Sequence, residues 1–406
     1  MRWIKEAEEM SRDDVLDARK YFITTTDMGS DLVPEWAEGA RVYDMSGKLS
    51  IDFSCGFGSL NTGHNHPKVL NSIRYVMDHK LGNLPSHQWK NKVVTKLAEK
   101  LCQITPGDFP KKVFLGRGGA EVVKRAINLC RNRMNADQIL LACYGAFHGR
   151  GGALELHHSK ELHRKKFIKD SERSYPIEFP QIGHDCVRYQ SALLSCHAWW
   201  RRQKPGAFFF ECVQGEGGVN VACHYCLPLL VHELREAKVI IVADEIQTFG
   251  KRTGKMFACE WYGIEPDIII LAKSLCPGGN LSAYVAKADL DYENKARDSL
   301  TGVFVRDCAA SLGAIEALED VDTDELFNKI DLLYKVAPKG LGLMRRISFP
   351  DAVARDNAIQ KCRQSSPVGL IISGAGENFM RVYPPVTITE GELLLGLNIL
   401  KEVLQS

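Results

Sequence analysis

Residues 239–254 read VIIVADEIQTFGKRTG. Five apolar residues run straight into two carboxylates, Asp244 and Glu245. A short apolar run with no polar alternation fits a strand buried on both faces. Acids at the end of such a strand need partners, because an unpaired buried charge is costly. The same texture recurs on either side. GAFFFECV (206–213) carries Glu211 just past its apolar run, and DIIILAK (267–273) ends at Lys273.

KKVFLG (111–116) and QILLACYGA (138–146) extend the series, with AEVVKRAINLCRNRM (120–134) between them at helical spacing. Alternating strands and helices predict an α/β domain with a mostly parallel sheet and a ligand crevice at the carboxyl ends of its strands. Before it, residues 40–56 read as a hairpin around Ser46-Gly47, and Pro67 stands near a helix start. Past residue 300 the texture changes to helices, then strands, then a closing helix with Thr389 as its N-cap. The expected division is an N-terminal arm with part of a small domain (1–55), a large domain (56–300) and a C-terminal α+β small domain (301–406).

The chain has 406 residues, 45% apolar and 25% charged, with a net charge of +2. That balance argues against nucleic acid or a membrane surface as the main partner. The charged N-terminus lacks a signal-peptide core, and no apolar stretch approaches the roughly 20 residues needed to span a bilayer. Thirteen cysteines, odd in number and mostly inside apolar runs, fit a reducing compartment. A cytoplasmic protein is expected. Cys223 and Cys226 have CxxC spacing, but no second pair accompanies them, so no metal site is expected.

Polar groups at the carboxyl edge of one parallel sheet share a crevice. Lys273 at the end of a buried run is costly to charge, so its pKa is expected to fall. A neutral amine there can form a Schiff base, and a carboxylate such as Asp244 can keep a pyridine nitrogen protonated. The alternative is a structural ion pair at the sheet edge. Gly116, Gly118 and Gly119 precede a helix whose first amides, near Gly119 and Ala120, can face an anion. This is no P-loop, since no Gly-Lys-Ser/Thr follows. Phe147 after another strand can stack on a ring or belong to the core, and His148 can join the site or lie at the surface. The basic run HHSKELHRKK (157–166) reads as a solvated face.

These segments together resemble the class III, or omega, aminotransferases of the fold-type I pyridoxal-phosphate enzymes. The resemblance covers nearly the whole chain and rests on PGDFPKKVFLGRGGAEVVKRAI (106–127), YGAFHGR (144–150), FFFECVQGEGGV (208–219), residues 239–275 and FMRVYPPVTIT (379–389), all in family order. The N-terminal half is most similar to 4-aminobutyrate-type aminotransferases and their amino-acid racemase relatives.

The resemblance implies a large domain built on a mostly parallel seven-stranded sheet and a cofactor, pyridoxal 5′-phosphate. Lys273 would carry the cofactor imine and move the substrate proton, and Asp244 would pair with the pyridine nitrogen. Gln247 would bond near the ring hydroxyl, Phe147 would stack on the ring, and Gly118, Gly119 and Ala120 would hold the phosphate, with His148 and Glu211 beside the cofactor. Arg381 would bind a substrate carboxylate, Glu216 would pair with Arg381 when none is present, and Arg150 would contact substrate. A homodimer with shared sites is implied, with Thr301 completing the neighbour's phosphate site.

The sequence departs from the family pattern twice. The usual Asn-Ser-Gly is Arg117-Gly118-Gly119, and no Gly-Asn-Pro turn follows Thr301. Three functions fit: an aminotransferase passing an amino group from an amino acid or omega-amine to a 2-oxo acid such as 2-oxoglutarate, a racemase on the same scaffold, or a fold-retaining binding protein with weak transamination.

Overall fold

The computed structural model describes residues 2–21, 32–85, 90–150, 174–182, 204–291 and 302–406. The basic run 157–166 and Thr301 lie outside these residues.

A seven-stranded sheet forms the centre. Its strands are β1 (Lys111–Gly116), β2 (Ile139–Cys143), β3 (Ser174–Ile177), β4 (Pro205–Phe210), β5 (Ile240–Asp244), β6 (Ile268–Leu271) and β7 (Ser282–Lys287). Their spatial order is β1-β7-β6-β5-β4-β2-β3. Strands β3, β2, β4, β5 and β6 pair in parallel, while β7 runs antiparallel to both β6 and β1.

The continuous apolar runs behave as their composition dictates. Phe208, Phe210, Ile241, Ala243, Ile269 and Leu271 point into one core cluster. Ala207, Phe209, Val242, Ile268 and Ile270 point into another, against Val122, Val123, Ala126 and Ile127 of the helix Gly119–Arg133. Neighbouring residues on one strand serve opposite cores, so neither face tolerates a charge until the strand ends.

Two strands escaped the sequence pattern. β3 holds Pro176 and pairs only with β2 at the sheet edge, where a missing N–H is tolerated. β7 (SAYVAK) interrupts its apolar run with Ser282, Ala283 and Ala286 and is held by two neighbours.

The expected hairpin is present as Arg41–Asp44 against Leu49–Asp52, in a four-stranded sheet with Pro34–Glu38. Gly369–Ile371, from the far end of the chain, joins that sheet parallel to Leu49–Asp52. A second four-stranded sheet places Phe379–Val382, and with it Arg381, between Met344–Ser348 and Ser373–Ala375. The closing helix Glu390–Gln405 starts at Thr389 with a capping box to Glu392.

Cys226 opens the helix Cys226–Glu236, and its amide donates to Cys223 Sγ at 3.5 Å. Among the described residues no group of three or more metal-ligating side chains occurs, and no helix is long and apolar enough to cross a membrane.

Candidate active site

Strand β5 delivers Asp244 to the crevice, 5% exposed. Its Oδ1 accepts from the Ile246 amide at 3.1 Å, and its Oδ2 lies 2.7 Å from His148 Nδ1. His148 is 1% exposed, so the surface reading of this histidine is overturned. Burial pulls the imidazole pKa down, but the Asp244 bond and charge outweigh it and raise the value. Asp244 therefore does have a protein partner. His148 Nε2 has no hydrogen-bond partner among the described residues.

Glu245, next in the chain, faces the other way. Thr248 Oγ1 donates to its Oε2, as does the Ala258 amide at 3.0 Å, and the Cys259 amide donates to Oε1 at 2.8 Å. This carboxylate is a structural knot tying the end of β5 to the turn at Ala258–Tyr262. Glu245→Ala would strand three buried donors at roughly 1–3 kcal/mol each. A loss of at least about 3 kcal/mol in chemical denaturation is expected, and a loss under about 1 kcal/mol would contradict the assignment.

Lys273 follows β6 at the same edge, in a left-handed conformation with φ of 45°. That region is sparsely populated for a non-glycine residue, and such outliers gather at functional sites. Burial lowers its amine to about 8, with Arg381 pushing the same way and Glu216, Asp244 and Glu211 opposing. Glu211, just past β4, accepts from the Phe147 amide at 3.1 Å. Burial, joined by the Asp244 charge and opposed by His148, pushes its carboxyl up to about 8.

Arg381 is 2% exposed and firmly held. Its Nη1 meets Glu216 Oε1 at 2.8 Å, and its Nε and Nη2 donate to the Gly374 carbonyl at 3.1 and 2.8 Å. Gln247 Nε2 donates to the same Glu216 oxygen at 3.2 Å, while Gln247 Oε1 has no partner among the described residues. Burial alone would raise Glu216, but the Arg381 charge and hydrogen bonds prevail and lower it to about 2. A Cβ on Gly215 would fall 1.9 Å from Gln247 Oε1, so any side chain there would displace the Gln247 amide.

The sequence did not single out Phe57. Its ring lies 5.2 Å from the Arg381 guanidinium, on a turn in which Cys55, Gly56, Phe57 and Gly58 all have positive φ. Asp52 pins the turn by accepting from the Ser54 and Cys55 amides at 2.7 and 3.0 Å. The glycine spacing in FSCGFGS hints at a turn; its contact with Arg381 depends on the distant strand Phe379–Val382. Phe57, Phe147, Arg150, Glu216 and Arg381 line one cavity of about 920 Å³.

At the other end, Gly118 precedes the helix Gly119–Arg133 with φ of 146° and no side-chain cap. Its amide donates to Ser282 Oγ at 3.0 Å. The two departures from the family pattern meet here. The Arg117 guanidinium lies 5.1 Å from the Phe304 ring, and a Cβ on Gly302 would come within 3.0 Å of Arg117 Nη2.

Residues 25–404 match the family described as aminotransferase class-III. The chain belongs to the class-III aminotransferase family.

It is 28% identical to a probable 4-aminobutyrate aminotransferase of Bacillus subtilis (strain 168), across 91% of this chain and 92% of that one. It is 30% identical to a diaminobutyrate–2-oxoglutarate transaminase of Wolinella succinogenes, across 91% of each. The fold matches the crystal structure of the ornithine aminotransferase from Toxoplasma gondii ME49 with a TM-score of 0.84 and 23% identity, covering 100% of this chain and 97% of that one.

Class-III aminotransferases are pyridoxal-phosphate enzymes of fold type I. The crevice suits that cofactor. Two buried polar atoms on residues bonded to Asp244 and Glu216, His148 Nε2 and Gln247 Oε1, lack partners among the described residues. The uncapped start of the helix Gly119–Arg133 offers amides and dipole to an anion, and Lys273 is shifted toward its free-base form.

Proposed function

We propose that this class-III aminotransferase moves the amino group of a carboxylate-bearing amino acid or omega-amine to a 2-oxo acid such as 2-oxoglutarate, working as a homodimer with shared sites. The observation that carries this reading is the Arg381–Glu216 pair beside Lys273. A buried guanidinium with a displaceable carboxylate suits a site that alternately receives substrates with one and two carboxylates. The names of the two curated relatives point the same way, to 4-aminobutyrate and to 2-oxoglutarate.

Bound in this crevice, pyridoxal phosphate would supply an aldehyde that takes up the amino group and a protonated ring that draws electrons from the substrate Cα. Gly118, Gly119 and Ala120 would hold its phosphate, Phe147 would cover its ring, and Gln247 and Asp244 would bond its edge, with Glu211 alongside. His148 would act through Asp244 by keeping that carboxylate oriented. Lys273 would move the proton at Cα, a task suited to an amine near 8 because its free form is far more accessible near neutrality than that of an ordinary lysine. Arg381 would take the substrate carboxylate, with Arg150 at the cavity wall as a second contact.

The test is a half-reaction. Holoenzyme is mixed with single amino donors and no oxo acid, and the visible spectrum and the donor's optical purity are followed. The reading expects the cofactor to pass to its amine form with stoichiometric oxo product. Inversion of the donor without loss of amine would establish the racemase instead, and a protein that takes up no cofactor would leave only the binding role.

Glu216 provides a separate check. With its carboxyl at about 2, the ion pair contributes stability that is complete above the ordinary value of 4.5 and is lost only as the pH falls through 2. Acid therefore does not open this pair in any working buffer; a competing carboxylate does. Glu216→Gln should tighten 2-oxoglutarate binding by about tenfold, because Arg381 no longer has to release a charged partner. Weaker or unchanged 2-oxoglutarate affinity in steady-state KM measurements would refute the gating role.

A further inference from the structure

Arg252 is used by none of the steps above, yet its side chain is among the most deeply buried in the protein, with 0% exposure. A guanidinium keeps its charge at any working pH, so a buried one needs compensation. Its Nη1 donates to the Pro384 carbonyl. Its Nε and Nη2 have no hydrogen-bond partner among the described residues, and no carboxylate there forms an ion pair with it. The Cys55 thiol, which hydrogen-bonds this guanidinium, is neutral, because burial holds its pKa far above physiological pH, and the Asp52 carboxylate beside Cys55 is taken by His64 at 2.8 Å.

The placement is directed. The Arg252 guanidinium lies 5.5 Å from the centre of the Tyr383 ring, and the Arg381 guanidinium lies 5.8 Å from that same ring. Tyr383 is itself fully buried, fixed by its amide bond to the Phe53 carbonyl at 2.7 Å. Gly58, at the end of the left-handed turn that presents Phe57, packs against the ring, where an added Cβ would lie 3.7 Å from Tyr383 Cδ2. Two cations thus lie within 6 Å of the centre of one aromatic ring, and of the two only Arg381 has a paired carboxylate, Glu216.

We infer that Arg252 is a positioning residue of the substrate-carboxylate site: a second cation that shares the Tyr383 ring with Arg381 and whose missing counter-charge is the substrate's own carboxylate. The inference rests on the proposed role of Arg381. With Glu216 seated on Arg381 that pair is neutral, and Arg252 adds a positive charge that no carboxylate among the described residues pairs with directly. An incoming carboxylate is attracted before Glu216 has moved. Once it displaces Glu216, it is held by two cations in a low-dielectric pocket.

The experiment is a titration of holoenzyme with glutarate, a dicarboxylate with no reacting group, and with glutaramide, its neutral counterpart. Arg252→Met should weaken glutarate binding by about tenfold, leave glutaramide unchanged and spare kcat. Arg252→Lys, which keeps the charge, should restore most of the glutarate affinity. Equal weakening of both probes, or no weakening of glutarate, overturns the inference. If Arg252→Met does not fold, Arg252→Gln replaces it. Failure of both neutral variants to fold assigns Arg252 to the fold alone and also overturns it. A wild type that does not bind glutarate, or binds it as well after Arg381→Ala, marks failure of the underlying reading instead.

Discussion

Lys273→Ala should abolish transamination, with kcat/KM falling by at least about 10⁴-fold, because one residue supplies both the covalent attachment and the proton transfer. The protein should nevertheless remain folded. The charged form of Lys273 is disfavoured by burial, a cost that alanine removes, while the φ of 45° is equally unfavourable for both residues. The sign follows from linkage. A folded-state value near 8, below the ordinary 10.5, means that the protonated amine opposes folding below pH 8. That opposition fades as the pH rises from 8 to 10.5. With cofactor stripped from both proteins, the variant should melt no lower than wild type at pH 7, and its advantage should shrink at pH 10. Calorimetry at the two pH values checks this. A variant that keeps a hundredth of wild-type turnover would remove Lys273 from its assigned role.

The second large effect is expected at Asp244. Asp244→Asn preserves shape but cannot carry the charge that holds a ring nitrogen protonated, and the loss in kcat should be about 10³-fold. His148 adds a signature that a purely structural aspartate would not produce. Because Asp244 raises the imidazole above its ordinary 6.5, the pair's contribution to stability is fully present below pH 6.5. It is lost as the pH rises through the raised value. Wild type and Asp244→Asn should therefore differ most in denaturant midpoint at pH 6 and less at pH 9. An equal gap at both would show that His148 does not titrate against Asp244. His148→Asn, leaving the acid without its orienting partner, should cost much less in kcat than Asp244→Asn.

The sequence announces most of this arrangement because its decisive strands are buried on both faces. In β4, β5 and β6 every position must be apolar, so Glu211, Asp244 and Lys273 stand out as the points where each strand leaves the core. Arg381 and Glu216 were legible through family resemblance, since nothing local links a strand near the C-terminus to a turn after β4. The neighbour of Asp244 was not legible. His148 sits in a loop after β2, and its bond to β5 arises only from the sheet order, in which β4 separates the two strands. Phe57 was missed for a related reason: its turn is local, but its target lies on a strand contributed by the other end of the chain. Glu245 became intelligible only when the amides of Ala258 and Cys259 were seen to close on it.

The turn at Cys55–Gly58 also bears on how this protein could change. Its left-handed backbone is fixed by Asp52, not by the Phe57 side chain, and the ring remains 40% exposed in the cavity. Replacing it leaves the hydrophobic core untouched, so unbranched side chains that accept a φ of 57° are tolerated there by the fold. The strain is already borne by the scaffold, and glycine at this position would relieve some of it. A change at residue 57 thus reshapes the cavity wall beside Arg381 at little expense to the packing beneath it.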